Sequence, residues 1–325
     1  MSRIGGKATT DHQQPGTVVG IDVSKTYLDV CVHPCRDRFR VRNDAAGLEE
    51  LRNCCLASVA SLVVMEATGR YHRAAHACLH EAGIPVAIIN PYRTRRFADV
   101  LGRLAKTDEI DAEVLAEFAA VMKPVPTEPP SIMMARITEV VVARRQVVDE
   151  RRALGNQRSQ VSVDLVKDQL DERIALCRHQ CKVLEAELLV AIQSDPAIAR
   201  RYSILTSIPG IGPTTAATLL SEMKELGSAN SAEVAALAGV APMNRDSGTM
   251  RGRKMIRSGR IVARNTLYMA AVVAVRWNRD IAAFYGRLRQ AGKPFKVAIT
   301  AAMRKLLLLA NTLLKEDRAW SPTPP

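Results

Sequence analysis

The stretch TVVGIDVSKTYLDV, residues 17–30, decides how the rest of the chain is read. Val18, Val19, Ile21 and Val23 put apolar side chains on both faces of its first segment, the pattern of a strand buried on both sides. Asp22 interrupts that pattern near the strand's carboxyl end. An ionised carboxylate there is costly unless it is paired or holds a metal. Taken alone, Asp22 reads as a turn residue closing the strand. A functional role requires partners elsewhere in the chain.

Composition narrows the field. With 325 residues, 47% of them hydrophobic, the chain can bury a full core and divide into two or three domains. Its formal charge is +13 and its pI about 9.7, with Lys and Arg spread throughout. That excess favours nucleic acid or another anionic surface as partner. No apolar run approaches the roughly 20 residues of a membrane span. Residues 1–16 have no apolar signal core and read as a flexible lead-in. A soluble, cytoplasmic protein is expected.

The seven cysteines, Cys54 and Cys55 adjacent among them, do not suit a disulfide framework. Cys177 and Cys181, flanking His179, read as free thiols on a helix. His72, His76 and His80 follow one another at i, i+4 spacing with Cys78 nearby, a stripe zinc could use. No matching ligand set stands out elsewhere, so structural zinc is not the expectation.

Residues 17–122 alternate in an ordered way. VVGIDVS, TYLDVCVHP and DRFRVRN read as three strands in a meander. A helix (AAGLEELRNCCLASVA), a strand (SLVVMEATG), a second helix (YHRAAHACLHEAG) and a fifth strand (IPVAIINP) follow. After a basic connection, KTDEIDAEVLAEFAAVM is a third helix. This element order resembles the ribonuclease H-like fold shared by RuvC-type resolvases and many transposases. KPVPTEPPS, residues 123–131, is a proline-rich linker. Residues 133–194 carry an apolar stripe (Leu165, Leu170, Ile174, Leu184, Leu188, Ile192) on a charged background. They read as an antiparallel helical pair or coiled-coil-like arm, either a self-association surface or a subdomain packed on its own chain. Further helices follow, closing with ARNTLYMAAVVAVRW and KPFKVAITAAMRKLLLLANTLLK, and the tail DRAWSPTPP reads as disordered.

Partners for Asp22 emerge from this order. Glu66 ends its strand as Asp22 ends the first, and ligand sites in open α/β sheets form beyond the carboxyl ends of strands. If those strands are parallel neighbours, the two acids meet. Asp108 and Asp111, three residues apart, share one face of the third helix. Four converging carboxylates repel one another unless cations neutralise them. Hard ions such as Mg²⁺ take oxygen ligands of this kind, alongside substrate phosphate. Two ions can activate an attacking oxygen and stabilise a leaving one. Singly, each acid is explained as a helix-surface or strand-end residue; together they favour a metal site. Asp29 lies inside the second strand in a supporting position, while Glu109 and Glu113 read as solvated. Arg93, Arg95, Arg96, Arg103 and Lys106 crowd the site and suit a polyanion.

Two further stretches bear on phosphate. SIPGIGPTTAA, residues 207–217, resembles the helix-hairpin-helix motif of DNA-repair proteins. Gly210 and Gly212 let the backbone approach closely, and the next helix offers free N–H groups to phosphate. In residues 245–264, Arg245, Arg251, Arg253, Lys254, Arg257, Arg260 and Arg264 surround one acid, Asp246. Ser247 sits at a turn in this loop. From chemistry alone a serine among arginines is a phosphate contact; were it a nucleophile, the arginines would activate it and stabilise the pentacoordinate phosphorane. Ser258 competes for that role.

GIDVSK, EATG-x-Y, INP and KTD-x-x-DA in the first region, with SIPGIG, LAGVAP, DSG…RG and N-x-L-Y-M-A in the last, resemble the DEDD transposases of bacterial insertion sequences. The matching family is the insertion-sequence family "one-ten", related to the Piv-type DNA invertases. The resemblance runs in order over residues 17–315. It implies an α/β RuvC-like DEDD domain over 17–122, a linker and helical arm over 123–200, and an all-α C-terminal transposase domain over 201–316, before a tail at 317–325. It further implies Asp22, Glu66, Asp108 and Asp111 as Mg²⁺ ligands and Ser247 as the recombinase nucleophile, linked covalently to DNA. Guidance by a structured non-coding bridge RNA is implied too, as is a homo-oligomer, dimer or tetramer, whose subunits share composite sites.

Three other functions compete. A RuvC-like junction nuclease would use metal-activated water and tolerate loss of Ser247. An actin-like sugar kinase also has GID near its N-terminus, but needs a second phosphate loop and an adenosine motif that the sequence lacks. A non-catalytic nucleic-acid-binding protein would use the acids structurally.

Overall fold

The computed structural model describes residues 16–67, 69–103, 108–244, 252 and 254–322, and only the backbone of residues 108 and 109. It divides into two compact units, Met1–Pro129 and Pro130–Pro325.

The first unit is built on one five-stranded sheet. Its elements are β1 (Val18–Val23), β2 (Tyr27–His33), β3 (Asp37–Arg42), α1 (Ala45–Ala57), β4 (Leu62–Glu66), α2 (His72–Glu81), β5 (Val86–Ile89), α3 (Pro91–Val100) and α4 (Asp108–Met122). The spatial order is β3-β2-β1-β4-β5. The meander β1-β2-β3 is antiparallel, and β4 and β5 add parallel to β1. This is the connectivity the strand order in the sequence predicts, with β1 at the centre.

Alternation along β1 assigns its faces. Val19, Ile21 and Val23 join Leu51 and Cys55 of α1 and Ala75 and Leu79 of α2 in one core. Val18 faces the other way, with Leu62 and Val64 of β4 and Leu115, Phe118 and Ala119 of α4. Gly20 shares that second face. A Cβ there would lie 2.2 Å from the Ala116 nitrogen and 2.3 Å from the Ala112 carbonyl oxygen. The missing side chain is what lets the α4 backbone rest on the strand.

Two sequence expectations fail in this unit. The basic connection after β5 contains the helix α3, capped by the Asn90 side chain accepting from the Tyr92 N–H, with Pro91 in its first turn. Asn-Pro both ends a strand and starts a helix. Glu113 is not solvated: it is 7% exposed. It pairs with Arg38, with Arg103 at 3.2 Å and with Arg36 at 3.7 Å.

The proline-rich segment after α4 is partly clipped to the sheet. Thr127 donates its N–H to the Val86 carbonyl (2.7 Å), and its hydroxyl accepts from the Ile88 N–H (3.2 Å), covering the β5 edge. Its carbonyl lies 2.7 Å from His76 Nε2. The middle of the histidine stripe therefore has a structural partner.

The second unit is helical: α5 (Ile132–Arg158), α6 (Asp164–Gln193), α7 (Pro196–Ser207), α8 (Pro213–Glu222), α9 (Ser231–Leu237), a ribbon of β6 (Pro242–Met243) and β7 (Met255–Ile256), then α10 (Ile261–Trp277), α11 (Arg279–Gln290) and α12 (Phe295–Lys315). Pairs such as Arg136–Glu187 near one end and Arg158–Asp171 (2.9 Å) near the other show that α5 and α6 run antiparallel. Leu154, Leu170, Ile174 and Cys177 form the core at their far end. At the near end Ile137, Val141, Leu188 and Ile192 join the main core of α7–α12.

Three features depart from expectation. The helix α11 was not foreseen; Asn278 caps its start by accepting from the Asp280 and Ile281 N–H groups. The tail docks through Trp320, whose N–H donates to Ser207 Oγ at 2.8 Å and whose ring packs on the core. Among the described residues α12 is long and apolar enough to cross a membrane, with mean hydropathy 1.5 over its best window, contrary to the sequence reading. In the structure 56% of that window is buried, as in a core helix.

Candidate active site

The sheet lines up acids on the face that receives α4. Asp22, two residues beyond Gly20, points to that face, as does Glu66, two beyond Val64. The register pairs Gly20 with Val64 and Ile21 with Met65, so Asp22 is next to Glu66 at the carboxyl ends of two parallel strands. On the other side Asp22 is paired with Asp29 of β2. Asp29 is 6% exposed and accepts from Arg40 Nε at 2.7 Å. It is a charge-neutralised neighbour of Asp22.

Glu66 has its own support. Thr94 of α3, 2% exposed, donates its hydroxyl to Glu66 Oε1. The same helix turns Arg93, Arg95 and Arg96 outward. Arg93 lies over the Phe118 ring at 5.5 Å and Arg96 over Tyr92 at 5.2 Å. One short helix thus orients an acid with one side and presents cations with the other. The sequence signal for it was Asn90-Pro91 with Thr94 one turn on.

The helix α4 brings Asp111. Gly20 meets Ala112 and Ala116, and Val18, before it on β1, shares a core cluster with Leu115, Phe118 and Ala119, later on α4, so α4 runs opposite to β1. At about 3.3 Å per strand residue and 1.5 Å per helix residue, Asp22 is level with the first turn of α4. Asp111 is in that turn and half-buried. The Asp108 side chain and Lys106 lie outside the described residues. Among the described residues no group of three or more His, Cys, Asp or Glu side chains is placed to hold a metal. Mg²⁺ asks less of the protein, binding through one or two carboxylates with water and phosphate completing its shell. Asp22 and Glu66, adjacent hard-oxygen donors at a strand-end edge, fit that requirement.

Arg103 does not join the outward cations. It is held by Glu113 at 3.2 Å and by Glu117 at 2.8 Å, both on α4. These pairs tie the segment entering α4 to the helix itself.

In the second unit the glycine hairpin joins α7 to α8. Gly210 has φ +105°, and a Cβ on it would lie 2.5 Å from Ala274 Cβ. Gly212 is open, with nothing within 4 Å of a built Cβ. Only the second of the two glycines leaves space for a ligand.

The ribbon β6–β7 carries the serine loop. Ser247, Arg245, Arg251 and Arg253 lie outside the described residues; Lys254 and Arg257 are exposed. The base of the ribbon is stapled down. Arg260 donates from both terminal nitrogens to Glu225, each at 2.6 Å, and to the Glu222 carbonyl. Arg264 donates to the Ser258 carbonyl at 2.7 Å, fixing Ser258 at φ +62°. Arg260 and Arg264, the last two of the basic residues in 245–264, therefore anchor the loop.

Burial pushes the Glu225 carboxyl up, but the hydrogen bonds and charge of Arg260 outweigh it and hold it below its ordinary value. A folded value below the unfolded one stabilises the fold above the unfolded pKa, and that contribution is lost as pH falls through the folded one. Melting curves at stepped pH should therefore show a loss below about pH 4 that Glu225→Gln removes. The same variant should cost about 1–3 kcal/mol at neutral pH, since Arg260 loses a charged partner. A Glu225→Gln protein with the wild-type pH profile would contradict the assignment.

Comparison with known proteins supplies the rest. An IS110 DEDD transposase family model matches residues 19–162, and the model described as transposase IS116/IS110/IS902 family matches residues 202–286. The pilin gene-inverting protein of Moraxella bovis is 31% identical over 320 residues, covering 94% of this chain and 97% of the relative. The chain belongs to the IS110 family of transposases.

Other relatives of this transposase include an uncharacterized 43.6 kDa protein of insertion element IS110 from Streptomyces coelicolor, 26% identical over 57% of this chain and 46% of that protein. A solved structure of T. thermophilus RuvC with a Holliday junction substrate covers 34% of this chain and 98% of its own, at 16% identity and TM-score 0.27. As a member of the family, the protein is a DNA transposase, an enzyme of DNA recombination. The two family matches fall one on each side of the α6–α7 junction, so the acid row and the ribbon belong to different matched regions.

Proposed function

We propose that this IS110-family transposase is a site-specific recombinase that cuts and rejoins DNA strands through a serine–phosphate intermediate. Asp22, Glu66, Asp108 and Asp111 hold Mg²⁺, and Ser247 is the nucleophile. The observation that carries the reading is the adjacency of Asp22 and Glu66 at the carboxyl ends of parallel strands. Bound Mg²⁺ would supply charge neutralisation at the scissile phosphate.

Ser247 Oγ attacks phosphorus, a sugar P–O bond breaks, and the serine proton ends on the departing sugar oxygen. A hydroxyl of the partner strand then attacks the same phosphorus and releases the serine, so the phosphodiester count is conserved. Arg245, Arg251, Arg253, Lys254 and Arg257 orient the phosphate, and Arg93, Arg95, Arg96, Arg103 and Lys106 with the Gly210–Gly212 hairpin hold flanking nucleic acid. Arg103 does so while paired with Glu113 and Glu117.

The partners in this reading are donor and target DNA, an element-encoded bridge RNA whose pairing selects them, and further copies of the chain. The Moraxella bovis relative is named for inverting a pilin gene, which fits a recombinase acting at paired sites in the cytoplasm. The test is to sequence RNA that co-purifies with the protein and incubate the complex with element-junction DNA and Mg²⁺. A denaturant-resistant adduct that Ser247→Ala abolishes is expected. Undiminished cleavage by Ser247→Ala would instead favour a RuvC-like nuclease using activated water.

A further inference from the structure

Thr94, one turn into α3, is 2% exposed, so its hydroxyl must spend its one proton inside the protein. Two acceptors are in reach, the Pro91 carbonyl at 3.0 Å and Glu66 Oε1. The Pro91 carbonyl belongs to the same helix, whose ladder offers it an N–H one turn on. Glu66 has no such substitute: among the described residues the Thr94 hydroxyl is its one hydrogen-bond donor. Hydrogen bonds to an ionised acceptor are also about twice as strong as neutral ones. The proton therefore goes to Glu66.

The start of α3 holds Thr94 in that place. Asn90 caps the helix, Pro91 fixes its first turn, and Phe97 meets the Phe118 ring of α4 edge-on at 5.3 Å. The two oxygens of Glu66 are unequal as a result. Oε1 is claimed from α3, and Oε2 is the oxygen left to bind. A carboxylate used in this way is a one-oxygen ligand. Mg²⁺ requires a near-ideal octahedron, and the two oxygens of one carboxylate sit closer together than two adjacent corners of it. Ca²⁺ takes about six to eight oxygens in a flexible shell and accepts carboxylates through one oxygen or both.

We propose that Thr94 is a positioning residue that sets the divalent-ion preference of the strand-end acids, favouring Mg²⁺ over Ca²⁺ by holding Glu66 to one oxygen. The proposal rests on the reading of Asp22 and Glu66 as metal ligands and adds what selects the ion. Thr94 itself touches neither ion nor DNA. Its hydroxyl acts through Glu66, and partners of this kind typically change metal affinity about 10–100-fold when removed.

The test titrates full-length protein with Mg²⁺ and, separately, with Ca²⁺, reading the rise in melting temperature that binding to the folded state produces. Thr94→Val keeps the shape and removes the hydroxyl. It should need about tenfold or more Mg²⁺ for half of the maximal shift, with the Ca²⁺ requirement unchanged or lowered. Thr94→Ser keeps the hydroxyl and should restore the wild-type preference for Mg²⁺. Thr94→Ala, which also lacks the hydroxyl, should show the same altered preference as Thr94→Val and replaces it if the valine protein does not fold. A general loss of packing would instead lower the melting temperature without metal and leave the ratio of the two requirements alone. A wild-type ratio in the variants that lack the hydroxyl, or a serine variant that behaves like them, would overturn the proposal. If the wild-type shift is lost in Asp22→Asn but unchanged in Thr94→Val, the acid row stands and the role of Thr94 fails. If wild-type protein shows no shift with either ion, both fail together.

Discussion

Asp22→Asn is expected to abolish strand cleavage and joining while the protein stays folded. Asp22 is at the centre of the row Asp29–Asp22–Glu66, and of the three it is the one flanked by a carboxylate on either side. Asp29 already has Arg40, and Glu66 has the Thr94 hydroxyl. Asparagine keeps the shape but removes the charge that a divalent ion requires. In the proposed mechanism several kcal/mol of transition-state charge stabilisation depend on that ion, and each 1.36 kcal/mol is a tenfold change in rate. Single-turnover rates on junction DNA should fall by about a thousandfold or more. An Asp22→Asn protein within a factor of ten of wild type would remove Asp22 from the reacting centre.

Gly20→Ala should be strongly damaging to the first unit. The added Cβ would lie 2.2 and 2.3 Å from backbone atoms of α4, with the Leu115 carbonyl carbon at 2.8 Å. Backbone cannot swing aside as a side chain can, so β1 and α4 must separate. Overpacking into a close-packed core costs about 1–3 kcal/mol or more, and this contact belongs at or above the top of that range. The separation also lifts Asp111 away from the strand-end acids. A displacement of about 1 Å at a reacting centre can cost about a hundredfold in rate. Melting temperature and cleavage rate should fall together. Gly212→Ala, with nothing within 4 Å, is the matched control for stability. Equal melting temperatures for the two variants would mean that α4 does not rest on Gly20.

The first unit was readable from its sequence because strand alternation, turns and helix stops coincide there. Parallel pairing of the first and fourth strands was the condition for Asp22 and Glu66 to meet, and the register satisfies it. What escaped were features that depend on context. Asn90-Pro91 closes a strand and opens a helix with the same two residues, and only the second role brings Thr94 to Glu66. Glu113 looks like any helix-surface acid until β3 places Arg38 beside it, because long-range ion pairs leave no periodic mark in a sequence. Arg260 and Arg264 sit in an arginine-rich loop but are occupied by Glu225 and the Ser258 carbonyl. Trp320 follows a charged, proline-containing tail pattern, yet one apolar ring and one backbone donor are enough to dock it.

The measurement closest to the central claim is mass spectrometry of the protein–DNA adduct. Wild-type protein is reacted with element-junction DNA, Mg²⁺ and co-purified RNA, denatured, and digested with protease and nuclease. The recombinase reading predicts a peptide spanning Ser247 that carries one nucleotide through a phosphoserine bond, absent in Asp22→Asn. Cleaved DNA with no modified peptide, or a nucleotide linked to Ser258 or another residue, would contradict it.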